Sequence, residues 1–284
     1  MARTKQRPLP APKCLTPLPP GTQPILRPGR DGVAYHIPIS PPSTSSSGEF
    51  KTTIALPPQS SWSSGLHFHT QHTEYLHLVQ GSIFLTLNGV TRIISAAAGG
   101  EVSVQTGELV KAGLVFEVPR YARHDWGRAD SYIMWRYSGR GLARSVVKPV
   151  DVDEEVVVEE WTSPRDIQKA LFFWNLNGVI TAPTNQPLSM PQKLAKRLMG
   201  GWWVPFQLFV IFWELDNWPV FVSLRGVLWP SETGEFGFWS FEGPLEYLVT
   251  VIVLFAAKIL GWLFGVRAVE RARTPNELWV AYNE

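Results

Sequence analysis

Short runs of alternating apolar and polar residues, separated by turn residues, fill the chain from Glu49 to about Arg140. The run SIFLTLNG alternates and ends in Asn-Gly, the dipeptide preferred in two-residue β-hairpins. Further β-type runs follow it, namely VTRII, EVSV, LVFEV and SYIMWRY. Several short strands at regular spacing are typical of a β-sandwich or a small β-barrel. We therefore predict a mainly β domain over residues 46–145.

The segment before this domain, residues 1–45, has a different composition. It is rich in Pro and Ser and carries basic residues but no acidic residue before Asp31. Such a segment buries too little apolar surface to offset the entropy that it loses on ordering, so we predict a disordered arm. It contains no apolar run of the signal-peptide type, and we expect no secretory signal in it.

Residues 146–200 are predicted to connect the β domain to the rest of the chain. The run DVDEEVVVEE, residues 151–160, is acidic and rich in valine, which suggests a solvated strand or a connector. Ser163-Pro164 then has the pattern of an N-cap followed by proline in the first helical turn. The predicted helix ends at Asn177-Gly178, and its apolar face should pack against the β domain.

The last part of the chain, residues 201–284, contains two long apolar runs. Tyr247–Val266 has 20 residues with one charge, Lys258, and as a helix it would extend about 30 Å, the thickness of a bilayer core. Trp202–Leu224 is interrupted by Glu214 and Asp216, which are expensive inside a membrane. We expect membrane association, either as a two-pass hairpin or as one span with a shallow interfacial helix. The alternative is a soluble protein whose tryptophan-rich helices cover the β domain or form a dimer interface.

The charges around these runs predict an orientation. Basic residues precede the first run and follow the second, whereas Glu232 and Glu235 lie between them. By the positive-inside bias, both outer ends and the β domain should face the cytosol. Without membrane attachment the protein is expected to be cytoplasmic.

The overall composition removes some classes of function. The formal net charge is +2, and no basic patch with interleaved aromatic residues is present, so no nucleic-acid partner is expected. The only cysteine, Cys14, excludes an internal disulfide framework and indicates a reducing compartment.

The candidate chemistry lies in GLHFHTQHTEYLHLVQG, residues 65–81. Side chains alternate across a strand, so His67 and His69 should share one face, and Glu74 can return to it after a turn. A fourth candidate ligand, His124, lies in GLVFEVPRYARHDW, residues 113–126. Imidazoles and a carboxylate suit Fe, Mn, Ni, Cu or Zn.

These two stretches resemble the two cupin motifs. The first has the histidine pair, a Glu and, after six more residues, Gly81. The second has a Gly, a Pro and a His at the family's spacing. Three positions depart from the family's motifs. Ser61 replaces the opening glycine, Tyr121 replaces the glycine after the motif proline, and Arg128 replaces the asparagine after the last histidine. The resemblance implies a double-stranded β-helix, or jelly roll, with an added C-terminal apolar helical region. It also implies a divalent transition metal, Fe or Mn first, held by His67, His69, Glu74 and His124.

Two further histidines are predicted to lie outside this ligand set. Alternation from Glu74 places His77 on the outer face of its strand. His72 falls in the turn between the ligand segments, where we expect a solvated side chain, although a hydrogen bond that supports a ligand is the alternative.

The resemblance leads to an expected function. We expect a metal-dependent oxidoreductase, with His67, His69, Glu74 and His124 as the catalytic ligands and a small, aromatic or polyketide-like substrate. The overall layout is also similar to small cupin oxidoreductases of fungal biosynthetic pathways. The alternatives are a redox-neutral isomerase, cyclase or decarboxylase, and a non-catalytic, membrane-tethered, ligand-binding cupin. A homodimer is also expected, since jelly rolls often pair through their sheets.

Overall fold

Thirteen strands form two antiparallel sheets in the computed structural model, which describes residues 10–42, 50–137, 153–183, 186–222 and 242–284. In sheet order, the six-stranded sheet contains β1 (Thr22–Arg27), β2 (Val33–Pro38), β3 (Thr52–Leu56), β12 (Val156–Ser163), β5 (Thr73–Gln80) and β10 (Val115–Val118). The seven-stranded sheet contains β13 (Trp218–Pro219), β4 (His67–Phe68), β11 (His124–Arg128), β6 (Ser82–Leu87), β7 (Val90–Ser95), β8 (Gly100–Val102) and β9 (Leu109–Ala112). Buried side chains from both sheets form one continuous core. The fold is therefore a double-sheet jelly roll.

The hairpin predicted from SIFLTLNG is present. Strands β6 and β7 pair up to Leu87 and Val90, and the two residues between them, Asn88 and Gly89, have φ angles of +49° and +78°. Positive φ at both central positions defines the turn that fits the twist of two antiparallel strands. The predicted runs VTRII, EVSV and LVFEV likewise overlap β7, β8 and β10.

The predicted disordered arm is wrong for residues 22–38, which form β1 and β2. Strand β2 lies between β1 and β3, and all six of its residues are buried. A strand that is covered on both faces reads as a short continuous apolar run rather than as an alternation. That run, VAYHIP, is short and lies in a segment rich in Pro and Ser, so the composition of the segment concealed the strand. Residues 1–9 and 43–49 lie outside the described residues.

The prediction of an acidic connector at residues 151–160 is also wrong in part, because its valines belong to the core of the sheet. Strand β12 lies between β3 and β5, with Val156, Val157 and Val158 buried. Apart from β13, the strands of the jelly roll therefore lie within residues 22–163 instead of 46–145. The predicted strand SYIMWRY is instead the helix α1 (Ala129–Tyr137). Ala129 and Ile133, one helical turn apart, pack against Phe84 and Ile93 of the neighbouring strands.

The helices follow the barrel in sequence. They are α2 (Gln168–Ile180), α3 (Met190–Met199), α4 (Trp203–Glu214), α5 (Glu242–Phe264) and α6 (Asn276–Asn283), with short 3₁₀ turns at Gly200–Trp202 and Arg271–Arg273. Helix α2 packs on the barrel as expected, with the rings of Phe173 and Tyr35 5.3 Å apart. It begins after Ile167 and passes through Gly178, where an added Cβ would lie 2.7 Å from the side chain of Arg273.

The two-pass membrane hairpin is wrong. Helix α4 has only 12 residues, which is too few to cross a bilayer, and the chain then turns at Asp216 and enters β13. Strand β13 pairs with β4, so the first apolar run returns to the barrel. Within the described residues, one helix is long and apolar enough to cross a membrane, at Gly243–Phe264.

Candidate metal centre

The four predicted ligands converge inside the jelly roll. His67 on β4 is paired directly with His124 on β11, His69 follows β4, and Glu74 comes from β5 in the opposite sheet. One ligand atom from each side chain lies within 4.8 Å of every other, and all four residues are buried. The structure thus brings together the four residues that the sequence predicted as metal ligands.

Each histidine turns its Nδ1 toward a backbone carbonyl. Nδ1 of His67 is 2.6 Å from the Gly65 oxygen, and Nδ1 of His124 is 3.1 Å from the Ala122 oxygen. Nδ1 of His69 contacts the carbonyl oxygen of Asp216. A carbonyl only accepts, so each Nδ1 carries a proton, and Nε2 is the ring nitrogen that can bind a metal. Hydrogen bonds of this kind, made by the ring nitrogen that does not bind the metal, orient metal-binding histidines.

The donor atoms fit a metal ion. Nε2 of His69 is buried 3.4 Å from Glu74 Oε2 and has no hydrogen-bond partner among the residues that the structure describes. Nε2 of His124 lies 2.6 Å from the same oxygen. An unpaired buried nitrogen is costly, and a cation shared with the carboxylate removes that cost. Burial, then the nearby rings of His124 and His69, hold the pKa of His67 well below its usual value, so its imidazole is neutral, as a ligand must be.

A buried lysine that the sequence analysis missed supports Glu74. Lys169 on α2 places its Nζ against Glu74 Oε1 and 3.0 Å from Glu160 Oε2. Glu160 also accepts from Trp126 Nε1 at 2.7 Å. Burial would raise the pKa of Glu74, but the Lys169 ammonium and His69 lower it well below its usual value. Glu74 is therefore ionised, with Oε2 turned toward the histidines. A lone lysine within KALFFW was the available signal.

The turn before Glu74 is held by Asp216. Its carboxylate accepts from the backbone N–H of Thr70 at 2.7 Å and of Gln71 at 2.9 Å, and from His72 Nδ1 at 2.7 Å. Asp216 is itself nearly fully buried and has a φ of +49°. In sequence it looked like a defect in a membrane span, whereas in the structure it fixes the loop that carries His69.

The prediction that His72 is solvated is wrong. The side chain is buried, and its Nε2 lies 2.9 Å from Asp166 Oδ2. Burial would lower its pKa, but hydrogen bonds to Asp166 and Asp216 raise it to about 9. His72 thus supports a ligand indirectly, through Asp216, which was the alternative. His77 points outward as predicted, with Nδ1 3.0 Å from Glu159 Oε2.

The departures from the cupin motifs leave the ligand positions intact. Tyr121 adopts the glycine conformation, with a φ of +63°, and its N–H donates to the His69 carbonyl at 2.7 Å. Arg128 is buried and donates to the Glu154 carbonyl at 2.7 Å, so it holds two chain segments together instead of lining a pocket. Ser61 donates its N–H to a neighbouring loop.

The apolar side chains of the strands around the cluster mostly belong to the core. Those that are fully buried are Leu76, Leu78, Val118 and Trp126, and Phe116 packs against them. The side chain of Met134 lies outside the described residues. Arg123, the residue before His124, is paired with Glu246.

The sheet topology and the ligand positions together decide the type of fold. It is a cupin-type jelly roll. Solved structures similar to this chain include the cupin domain of CENP-C from Drosophila melanogaster, with 12% identity, a TM-score of 0.28 and coverage of 50% of this chain and 76% of that one. KdgF from a Halomonas species has 13% identity and a TM-score of 0.27, covering 48% of this chain and 85% of that one.

A third similar structure is an RmlC-like cupin from Shewanella frigidimarina, with 12% identity, a TM-score of 0.27 and coverage of 49% of this chain and 84% of that one. No family model and no curated protein matches the sequence. The description of the fold therefore depends on the sheets and on the ligand positions themselves.

Proposed function

We propose that this protein is a metal-dependent oxidoreductase in which His67, His69, Glu74 and His124 hold a divalent transition metal, Fe or Mn. The observation that carries the proposal is the convergence of three histidines whose Nδ1 atoms are all engaged by carbonyls, around a carboxylate that is kept ionised. Three imidazoles with one carboxylate are a ligand set that suits these ions.

The protein's own groups prepare this site before any substrate arrives. Lys169 occupies Oε1 of Glu74 and leaves Oε2 for the cluster, so the carboxylate offers one oxygen. The four ligands carry a single negative charge and leave one positive charge of a divalent ion uncompensated. That remaining charge favours an anionic oxygen of a substrate, such as a phenolate or an enolate. When bound, the ion supplies Lewis acidity and, as Fe or Mn, a redox centre.

The surroundings of the site favour an aromatic or polyketide-like substrate of the kind handled by small biosynthetic cupins. Aromatic side chains fill the barrel interior, with the rings of Trp62 and Trp126 4.8 Å apart. The indole of Trp62 donates to the Tyr35 hydroxyl at 2.9 Å. These core aromatic side chains exclude water from the barrel interior, and an apolar interior suits planar, apolar groups better than a small diacid.

Elemental analysis of the purified full-length protein tests the metal site first. We expect about one transition-metal ion per chain after reconstitution with Fe(II) or Mn(II), since four buried ligands form one site. The double variant His67→Ala/His124→Ala should bind almost none. His77→Ala is the matched control, because this histidine is on the same stretch but outside the cluster, and it should keep the metal. An unloaded wild type, or a double variant that binds normally, would refute the proposal.

The reaction type needs a separate measurement. Dioxygen consumption by the Fe(II)- or Mn(II)-loaded protein is followed with a panel of phenols and β-diketones, in air and under anaerobic conditions with product analysis. We expect turnover only when dioxygen or another oxidant is present. Full turnover of a substrate without any oxidant would contradict the oxidoreductase assignment and identify a redox-neutral reaction at the same four ligands.

A further inference from the structure

Helix α5 has its polar and apolar sides inverted relative to a helix that faces water. Its polar residues Glu246 and Thr250 face the protein, with exposed fractions of 2% and 0%. Glu246 pairs with Arg123, and the Thr250 hydroxyl donates to the Pro219 carbonyl at 2.9 Å. The large apolar side chains on the opposite side are exposed, namely Leu245, Leu248, Ile252, Phe255, Ile259, Trp262 and Leu263. A contiguous apolar surface that is exposed in this way marks an interaction site.

The width of this apolar face argues against a single partner helix. At 3.6 residues per turn, these seven positions cover roughly 100° of the helix circumference, and exposed Leu260 widens the arc to roughly 160°. The seam of a two-stranded coiled coil is a narrow stripe of two positions in seven. A face of this width exceeds that seam and suits a partner that can surround it, as the acyl region of a lipid leaflet does.

A second, basic helix adjoins the apolar face. Helix α3 exposes Leu194 and Leu198 together with Lys193 and Arg197, and exposed Trp202 follows it. The Gln192 side chain donates to the Gly265 carbonyl at 3.0 Å, which joins α3 to the end of α5. Lysine and arginine beside leucine and tryptophan are the composition of helices that lie at a membrane surface and contact anionic headgroups.

The packing of α5 argues against a simple transmembrane span. Helix α5 lies against α4, where a Cβ added to Gly261 would lie 2.9 Å from the side chain of Val210. Helix α4 in turn packs on α2, where the rings of Phe212 and Phe172 are 6.1 Å apart. A perpendicular span would draw α2, with its buried Asn175, into the hydrocarbon region.

We propose that the outer faces of α3 and α5 dock this protein onto one leaflet of an anionic phospholipid membrane, with α5 parallel to the membrane plane. The apolar face enters the acyl boundary, and the basic residues of α3 contact the headgroups. This surface is separate from the metal cluster, so the proposal does not depend on the proposed function.

Vesicle flotation with the full-length protein tests the docking. We expect binding to vesicles of phosphatidylcholine with phosphatidylserine, and weaker binding to phosphatidylcholine alone. Ile252→Glu/Phe255→Glu should lower binding by about tenfold or more, because two apolar anchors are lost. Lys193→Glu/Arg197→Glu should remove the preference for phosphatidylserine. The control is Val110→Glu, an exposed apolar position on the far edge strand β9, which should bind as the wild type does.

Three outcomes would overturn the proposal. The first is that the wild type does not float, and the second is that Val110→Glu lowers binding as much as Ile252→Glu/Phe255→Glu. The third is that ultracentrifugation shows a dimer that Ile252→Glu abolishes while vesicles have no effect, which would identify a second copy as the partner. Thermal unfolding of each variant shows whether a loss of binding merely reflects a loss of fold.

Depth measurements separate docking from spanning. Spin labels are placed at Leu248→Cys, Phe255→Cys and Trp262→Cys, one at a time, in protein whose Cys14 is replaced by Ser. A helix parallel to the membrane places all three labels at similar depth. A deep label at position 255 with shallow labels at both ends would show a span and refute the parallel arrangement.

Discussion

The barrel strands and the helical layer contribute to the metal cluster in different ways. His67 and His124 are each oriented by a carbonyl two residues before them in their own strand region. His69 and Glu74 are instead oriented by Asp216 and Lys169, which are 147 and 95 residues away in sequence. Half of the cluster is therefore local to the cupin motifs, and the other half depends on helices that follow the barrel. Losing a helical contact should damage the site without changing any ligand.

The largest effect is expected from Lys169→Met. Two carboxylates, Glu74 and Glu160, would remain buried without their cation, and breaking a buried ion pair costs about 3–5 kcal/mol of unfolding free energy. Urea unfolding of the metal-free protein measures the change. The control is Lys51→Met. Lys51 Nζ lies 2.8 Å from Glu159 Oε2, and both side chains are half-buried. This variant should lose less than about 1 kcal/mol of unfolding free energy. Equal losses of unfolding free energy in both variants would show that the contact from α2 stabilises the fold no more than a half-buried ion pair does.

Removal of the metal should have the next largest effect. A ligand at 100 times its dissociation constant stabilises the folded state by about 2.7 kcal/mol, so a chelator should lower the melting temperature of the reconstituted wild type. The same chelator should not affect His67→Ala/His124→Ala, which lacks the two locally oriented ligands. Calorimetry with and without chelator gives both values, and an equal shift in the double variant would mean that the metal binds elsewhere.

Asp216→Asn tests the helical half of the cluster directly. The amide cannot accept all the hydrogen bonds that the carboxylate accepts from the turn of residues 70–72, so the loop next to His69 is held less firmly, although the backbone carbonyl that faces His69 remains. Loss of such outer partners typically weakens metal binding about 10–100-fold. Competition with a chromophoric chelator measures the affinity. The matched control is Asp130→Asn, which removes a carboxylate paired with Arg128 in the barrel and should leave the affinity unchanged.

The smallest change is expected from Thr70→Val. It removes one hydrogen bond, from the Thr70 hydroxyl to Asp216 Oδ1 at 2.7 Å, and should cost about 1 kcal/mol. Metal affinity should fall less than in Asp216→Asn, because the backbone donors remain. Thr86→Val, which removes a hydroxyl contact to Thr91 within the β6–β7 hairpin, should not change the affinity. A larger loss in Thr70→Val than in Asp216→Asn would contradict the role given to the carboxylate.

The part of the site that the sequence could predict is the part encoded locally. Alternation and motif spacing place His67, His69, Glu74 and His124 on facing strands, and the Asn88-Gly89 pair fixes the neighbouring hairpin. These features depend on residues that are close in sequence, so a pattern contains them.

The remaining part depends on distant partners that no local pattern contains. Nothing in the residues near Lys169 indicates that its ammonium contacts Glu74, and Asp216 looked like an interruption of a membrane segment. Strand β2 was hidden because its burial on both faces comes from β1, β3 and the core. The structural role of each of these residues can be recognised only when its partner in the folded protein is known.

Strand β13 has a consequence for how this protein can be divided. Its two residues, Trp218 and Pro219, cover the edge of β4, the strand that carries His67. A fragment cut after β12 would leave that edge open, and open edges recruit other chains. The barrel is therefore not a transferable module: fusion partners belong outside the closing strand, and a shortened form should precipitate instead of folding.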